Sequence, residues 1–113
     1  ALLQALAYEI PDAGLCCDLG NYFLQQQRLA QAIYWYEQAL QCKPQPNSGR
    51  FVRQDDYDYI PHLQLCVCYD KLGEHEKARE FNRLAGTYRP NSPAYLKNLE
   101  YFDRLFSNSQ NAF

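Results

Sequence analysis

Few side chains in this sequence could do chemistry: five Cys, two His and one acidic cluster. Cys16 and Cys17 are adjacent, Cys66 and Cys68 are separated by one residue, and Cys42 stands alone. A structural zinc site needs four ligands, commonly offered as closely spaced pairs, and His62 and His75 do not complete one. An odd number of thiols leaves at least one outside any disulfide framework. Free thiols behave as small hydrophobes, so these cysteines are expected in a helical core and in a reducing, cytoplasmic compartment. Asp55, Asp56 and Asp58 form the acidic cluster. On a loop they read as solvated charge, with Asp58 helping to cap the helix that follows. The Gly-centred calcium-loop pattern is absent, as are a nucleophile motif, a phosphate-binding glycine loop and H-E-x-x-H. The expectation is no catalytic residue, no metal site and no cofactor within these residues.

The elements that position these side chains must fit one domain, since 113 residues is about a domain's length. Lys and Arg number 11 against 13 Asp and Glu, a net charge of -2, so no basic excess points to nucleic acid. No unbroken apolar run reaches the ~18 residues of a membrane span. The chain opens Ala1-Leu2-Leu3 and holds no Met, which suggests a segment of a longer protein. Residues 1–10 read as the tail of an upstream helix.

Sliding the sequence by 46 positions pairs Leu19 with Leu65, Phe23 with Tyr69, Ala32 with Ala78, Ala39 with Ala85 and Pro44 with Pro90. Small Gly20 meets small Cys66 in the same frame. Leu19, Gly20 and Phe23 share one helix face, and Ala32 and Ala39 face them from an antiparallel partner. Proline ends each second helix, because it lacks the amide hydrogen and clashes with the preceding turn. Copy one reads Cys16-x2-Leu19-Gly20-x2-Phe23, Ala32-x3-Tyr36, Ala39, Pro44. Copy two reads His62-x2-Leu65-Cys66-x2-Tyr69, Ala78-x3-Asn82, Ala85, Pro90, with Leu72-Gly73-Glu74 as its inter-helix turn. The pattern resembles the tetratricopeptide repeat, with its period of roughly 34 residues. Asn82 departs from it, standing where an aromatic ring usually packs.

This frame predicts an all-α solenoid of antiparallel helix pairs. Repeat one spans 13–46, an inserted loop 47–58, repeat two 59–92, and a C-terminal capping helix 93–106. Helices are expected at about 12–26, 29–42, 60–72 and 75–88, with Asp12 a candidate cap and Pro61 in a first turn. Phe51, Val52 and Tyr57 would anchor the loop. Ser92-Pro93 opens the capping helix, whose Leu96, Leu99, Phe102, Leu105 and Phe106 would cover repeat two. Ser107 to Phe113 is expected to fray. Tyr36 belongs to the core, whereas Tyr34 and Trp35 would pack beneath the loop or against a partner.

First helices of stacked repeats line the ligand face of such solenoids. Helical phase places Asp18, Asn21, Gln25, Gln64, Asp70 and Lys71 there, joined by Lys97 and Tyr101 from the last helix. These polar groups suit an extended protein or peptide partner. Grips on a C-terminal carboxylate use Lys, Asn and Arg, and the first repeat offers Asp18 beside Asn21 without a Lys, so that specificity is not expected. Open solenoid ends also allow a homo-oligomer.

Longer strings narrow the resemblance. Gly20-Asn21-Tyr22-Phe23-Leu24, Ala32-Ile33-Tyr34-Trp35-Tyr36-Glu37-Gln38-Ala39-Leu40 and Cys42-Lys43-Pro44 precede the insertion. Ile60-Pro61-His62-Leu63-Gln64-Leu65-Cys66-Val67-Cys68-Tyr69-Asp70, Leu72-Gly73 and Pro90-Asn91-Ser92-Pro93 follow it. Over about residues 12–106 these resemble the C-terminal repeat region of bacterial family 2 glycosyltransferases. The resemblance implies a parent enzyme whose separate N-terminal domain transfers sugar from a nucleotide-sugar donor. The present residues would recruit the acceptor or mediate oligomerisation. A free-standing tetratricopeptide adaptor is the alternative.

Overall fold

The computed structural model describes residues 13–42, 55 and 57–111, which form five helices and no strand. They are α1 (Ala13–Gln25), α2 (Leu29–Gln41), α3 (Tyr59–Lys71), α4 (His75–Tyr88) and α5 (Pro93–Asn111). Neighbours pack in sequence: α1 on α2, α2 on α3, α3 on α4 and α4 on α5. This is the expected all-α helical-repeat arrangement. The tail at 1–10, Asp12, Phe51, Val52, Asp56 and most of the insertion lie outside the described residues.

Each helix follows from its apolar spacing. In α1, Ala13, Cys16, Cys17, Leu19 and Gly20 are buried, and in α2 Ala32, Tyr36 and Ala39 face them. Helix α3 buries Pro61, Leu63, Leu65, Cys66, Cys68 and Tyr69, which no single stripe could contain. A helix buried on several sides is surrounded, and α3 has α2 and α4 against it and α5 hydrogen-bonded to it.

The two pairs close with the same turn. In the first, the backbone N–H of Gln27 donates to Leu24 O at 3.0 Å and that of Arg28 to Phe23 O at 2.9 Å. Forty-six residues on, Gly73 donates to Asp70 O at 3.0 Å and Glu74 to Tyr69 O at 2.9 Å. Gly73 sits at φ +86, where glycine carries no steric penalty. Gln27 holds the equivalent position at φ 61, a left-handed conformation that L-residues adopt at a cost.

Close approach of the helices depends on pairing small with large. A Cβ on Gly20 would lie 2.8 Å from the Tyr36 ring, which is itself 1% exposed. In the second pair the same two positions hold Cys66 and Asn82, so the added Cys side chain is matched by a smaller residue opposite. Asn82 is also 1% exposed. Its Nδ2 donates to Tyr95 O at 3.3 Å, and its Oδ1 accepts from Asn98 Nδ2 at 3.1 Å. The missing aromatic is therefore a hydrogen-bonding anchor for α5. The Tyr95 ring lies against Gly86, filling the space that a Cβ there would need.

The connections are tied down. Asp58 caps α3 through its carboxylate and the Tyr59 backbone N–H, as its place before that helix predicts. Tyr57 packs against the core, and Arg89 pairs with Asp55 at 2.7 Å. The Ser92 hydroxyl accepts from Tyr95 N–H at 3.3 Å and meets the Tyr59 hydroxyl. Helix α5 runs to Asn111 rather than ending near Phe106, since no Gly or Pro interrupts it. Its stripe divides. Phe102 is buried and Leu105 and Phe106 partly so, but Leu96 and Leu99 stay 44% and 40% exposed.

Two glycine exchanges should act with opposite sign in urea denaturation. Gln27→Gly should stabilise by about 0.5–1 kcal/mol by relieving the left-handed turn. Gly20→Ala should destabilise by about 1–3 kcal/mol through overpacking, although Ala is the better helix former. Equal signs would contradict this account of the turn and the crossing.

Candidate interaction surface

The eight polar positions expected on the ligand face do not behave alike. Asp18, Asn21 and Gln25 are exposed along α1, Lys71 ends α3 and is exposed, Gln64 is half-buried, and Lys97 is exposed on α5. Among the described residues, no hydrogen bond or ion pair joins these six to one another. Asp70 and Tyr101 are brought together: the Tyr101 hydroxyl donates to both carboxylate oxygens, at 3.0 and 3.1 Å.

Asp70 holds a third group that the sequence did not indicate. His75 Nδ1 lies 2.6 Å from Asp70 Oδ1, and because a carboxylate only accepts, Nδ1 carries the proton. Nε2 is then the ring's remaining polar atom, on a side chain 40% exposed. One carboxylate thus connects the end of α3, the start of α4 and the middle of α5. The usable signal was the turn itself: Asp70 and His75 flank Leu72-Gly73-Glu74, so the hairpin brings them together. Partial desolvation and the Asp70 carboxylate lift the Tyr101 phenol above its usual range.

A second chain of contacts runs through Tyr69. Its hydroxyl donates to Glu37 Oε1 at 3.1 Å, Lys77 Nζ sits 4.4 Å from its ring centre, and Phe81 stacks on it at 5.4 Å. Burial and then Glu37 raise its pKa, with Lys77 opposing. His62 stacks on Tyr88 at 5.6 Å while its Nδ1 meets Asp58 O at 2.7 Å, so it serves packing and the start of α3. Tyr34 is exposed, edge-on to Trp35 at 5.0 Å.

The cysteines are core. Cys16, Cys17, Cys66 and Cys68 are buried, Cys42 is partly so, and no disulfide joins any two of the five. Burial pushes Cys66 up to about 12, with Asp70 adding to it, and Cys68 up to about 11, with Lys71 opposing. Burial likewise raises the Tyr36 phenol. A thiol held protonated is a poor nucleophile. Among the described residues no three His, Cys, Asp or Glu side chains are grouped to hold a metal ion. No helix there is long and apolar enough to cross a membrane.

The helix pair α1–α2, its Gly20–Tyr36 crossing and its tight turn lie inside a stretch with a family match. Residues 13–46 are a tetratricopeptide repeat. The stretch coincides with the first copy read from the sequence. The pair α3–α4 repeats the backbone turn of α1–α2. No curated protein and no solved structure matches the chain.

The raised thiols set a pH limit on stability. Cys66 and Cys68 move up from an ordinary 9.0, so in the folded state they stay protonated where the unfolded chain has lost those protons. Their contribution is complete below about pH 9 and falls as pH climbs towards their folded values. The slope is about 1.4 kcal/mol per thiol per pH unit within that window. Urea midpoints should be level from pH 7 to 8 and drop between pH 9 and 10.5. In the C66A/C68A variant that drop should shrink, and an unchanged drop would assign it elsewhere.

Proposed function

We propose that residues 13–111 are a protein-interaction module that holds an extended peptide along the exposed polar face of α1, α3 and α5. The observation behind this reading is the tetratricopeptide repeat at 13–46, because such helical arrays present their first helices to protein partners. Asn21 and Gln25 on α1, Gln64 and Lys71 on α3 and Lys97 on α5 would supply adjustable donors and acceptors. The Asp70–Tyr101–His75 group would form their fixed support, with its carboxylate already engaged by two side chains.

The parent we propose is a bacterial glycosyltransferase using a nucleotide-sugar donor, with this module recruiting the acceptor. Support comes from the string resemblance over about residues 12–106. The carrier of the chemistry would be a separate domain, in keeping with the burial that holds the Cys66 and Cys68 thiols protonated here.

Sugar transfer by the full-length protein, with and without residues 13–111, tests both parts. Donor hydrolysis should persist without the module while transfer to the acceptor falls at least tenfold. Unchanged acceptor choice would end the recruitment reading. A full-length chain that neither binds nor hydrolyses any nucleotide sugar would end the glycosyltransferase reading and favour a free adaptor. As a finer probe, Lys97→Glu with Lys71→Glu should weaken acceptor binding without lowering the melting temperature.

A further inference from the structure

Helices α4 and α5 border a groove of about 630 Å³ on the side away from the first repeat. Tyr95, Leu99, Phe102 and Phe106 give it an apolar part, and Asn82 and the exposed Asp103 line it too. Its α4 wall carries Glu76, Arg79, Glu80 and Arg83, all exposed. Those four stand at i, i+3, i+4 and i+7, so they share one helix face.

Their order is self-complementary. Set antiparallel to itself about a point between residues 79 and 80, the face places Glu76 opposite Arg83, and Arg79 opposite Glu80. The symmetric half repeats both pairs, so all four juxtapositions join opposite charges. A parallel arrangement would put every charge against its like. An interface with two-fold symmetry uses the same patch on both copies and needs just this match. Helix α5 shows no such order, because Lys97 would meet Arg104 when its Lys97, Glu100 and Arg104 are reversed on themselves.

We infer that the α4–α5 groove is the contact surface between two copies of this chain, with α4 of each copy lying antiparallel against α4 of the other. This inference is independent of the peptide-binding reading, which uses the opposite, α1–α3–α5 face. Within one copy the wall is already ordered. Arg83 donates to Glu80 at 2.5 and 2.9 Å, and Arg79 lies over the Phe106 ring at 4.8 Å. In the pair, Arg83 bridges its own Glu80 and Glu76 of the second copy. Arg79 keeps its guanidinium over the Phe106 ring while its outward N–H groups reach Glu80 of the second copy. Leu99 supplies apolar surface to the same contact and loses its exposure there.

Two charge-reversed variants test this by sedimentation velocity at low and high salt. The full chain should dimerise at 50 mM NaCl and dissociate at least tenfold more readily at 500 mM, since exposed charge pairs are screened. R79E/R83E makes the face wholly acidic and E76R/E80R makes it wholly basic. Each alone should be monomeric, and a one-to-one mixture should restore the dimer. Circular dichroism verifies that each variant is folded. Leu99→Glu, at an exposed position, is a further variant that should abolish dimerisation. A monomeric wild type at 200 µM would overturn the proposal. So would single variants that dimerise like wild type, or a mixture that stays monomeric.

Discussion

The structure rests on how closely two helices of a pair can approach. That distance is decided where one side chain crosses the backbone of the opposite helix. In the first pair glycine receives a whole aromatic ring, and Gly20 and Tyr36 divide the volume about as unequally as two residues can. In the second, Cys66 and Asn82 divide it more evenly. The second pair of side chains is the smaller in sum, and Asn98 of α5 reaches both, its Nδ2 meeting Cys66 Sγ and Asn82 Oδ1. Everything polar on the surface is then placed by helices whose separation was fixed in this way.

The exchange has a chemical by-product. Replacing a ring by an amide puts donors and acceptors inside the core, and burying them unpaired would be costly. Asn98 and the Tyr95 carbonyl pair with them. The last helix is thus bound to the second pair by directional bonds as well as by Phe102. Directional bonds specify rotation and register, which apolar contact alone leaves loose.

Much of this was legible in the residues. The spacing of Leu19, Gly20, Phe23, Ala32 and Ala39 reports helix pairing directly, because it reflects backbone geometry and side-chain size. The end of α4 ahead of Pro90 and the caps at Asp58 and Ser92 follow from local chemistry. Less visible were features created by contact between distant segments. Asn82 looked like a defect until Tyr95 and Asn98 were placed beside it, sixteen residues or fewer away but on another helix. His75 offers no metal-ligand spacing, and its role is visible only once the Leu72-Gly73-Glu74 turn is taken to fold Asp70 back onto it. The exposed Leu96 and Leu99 belong to a stripe whose periodicity reveals a face without revealing which part of it is covered. Helical phase assigns eight polar positions to one expected ligand face, yet it could not show that two of them, Asp70 and Tyr101, satisfy each other.

Tyr69 carries a consequence for how the molecule comes apart. Its ring is stacked within the second pair, and its hydroxyl is bonded to Glu37 in the first. Repeat arrays are nearly one-dimensional, and their units lose order singly when the links between neighbours are weak. Here a single side chain belongs to both units, so melting α1 and α2 removes the Glu37 acceptor from the last turn of α3, and melting α4 removes the stack that holds the hydroxyl in place. Loss of order in either pair therefore strips a contact from the other, and the two are coupled through one residue.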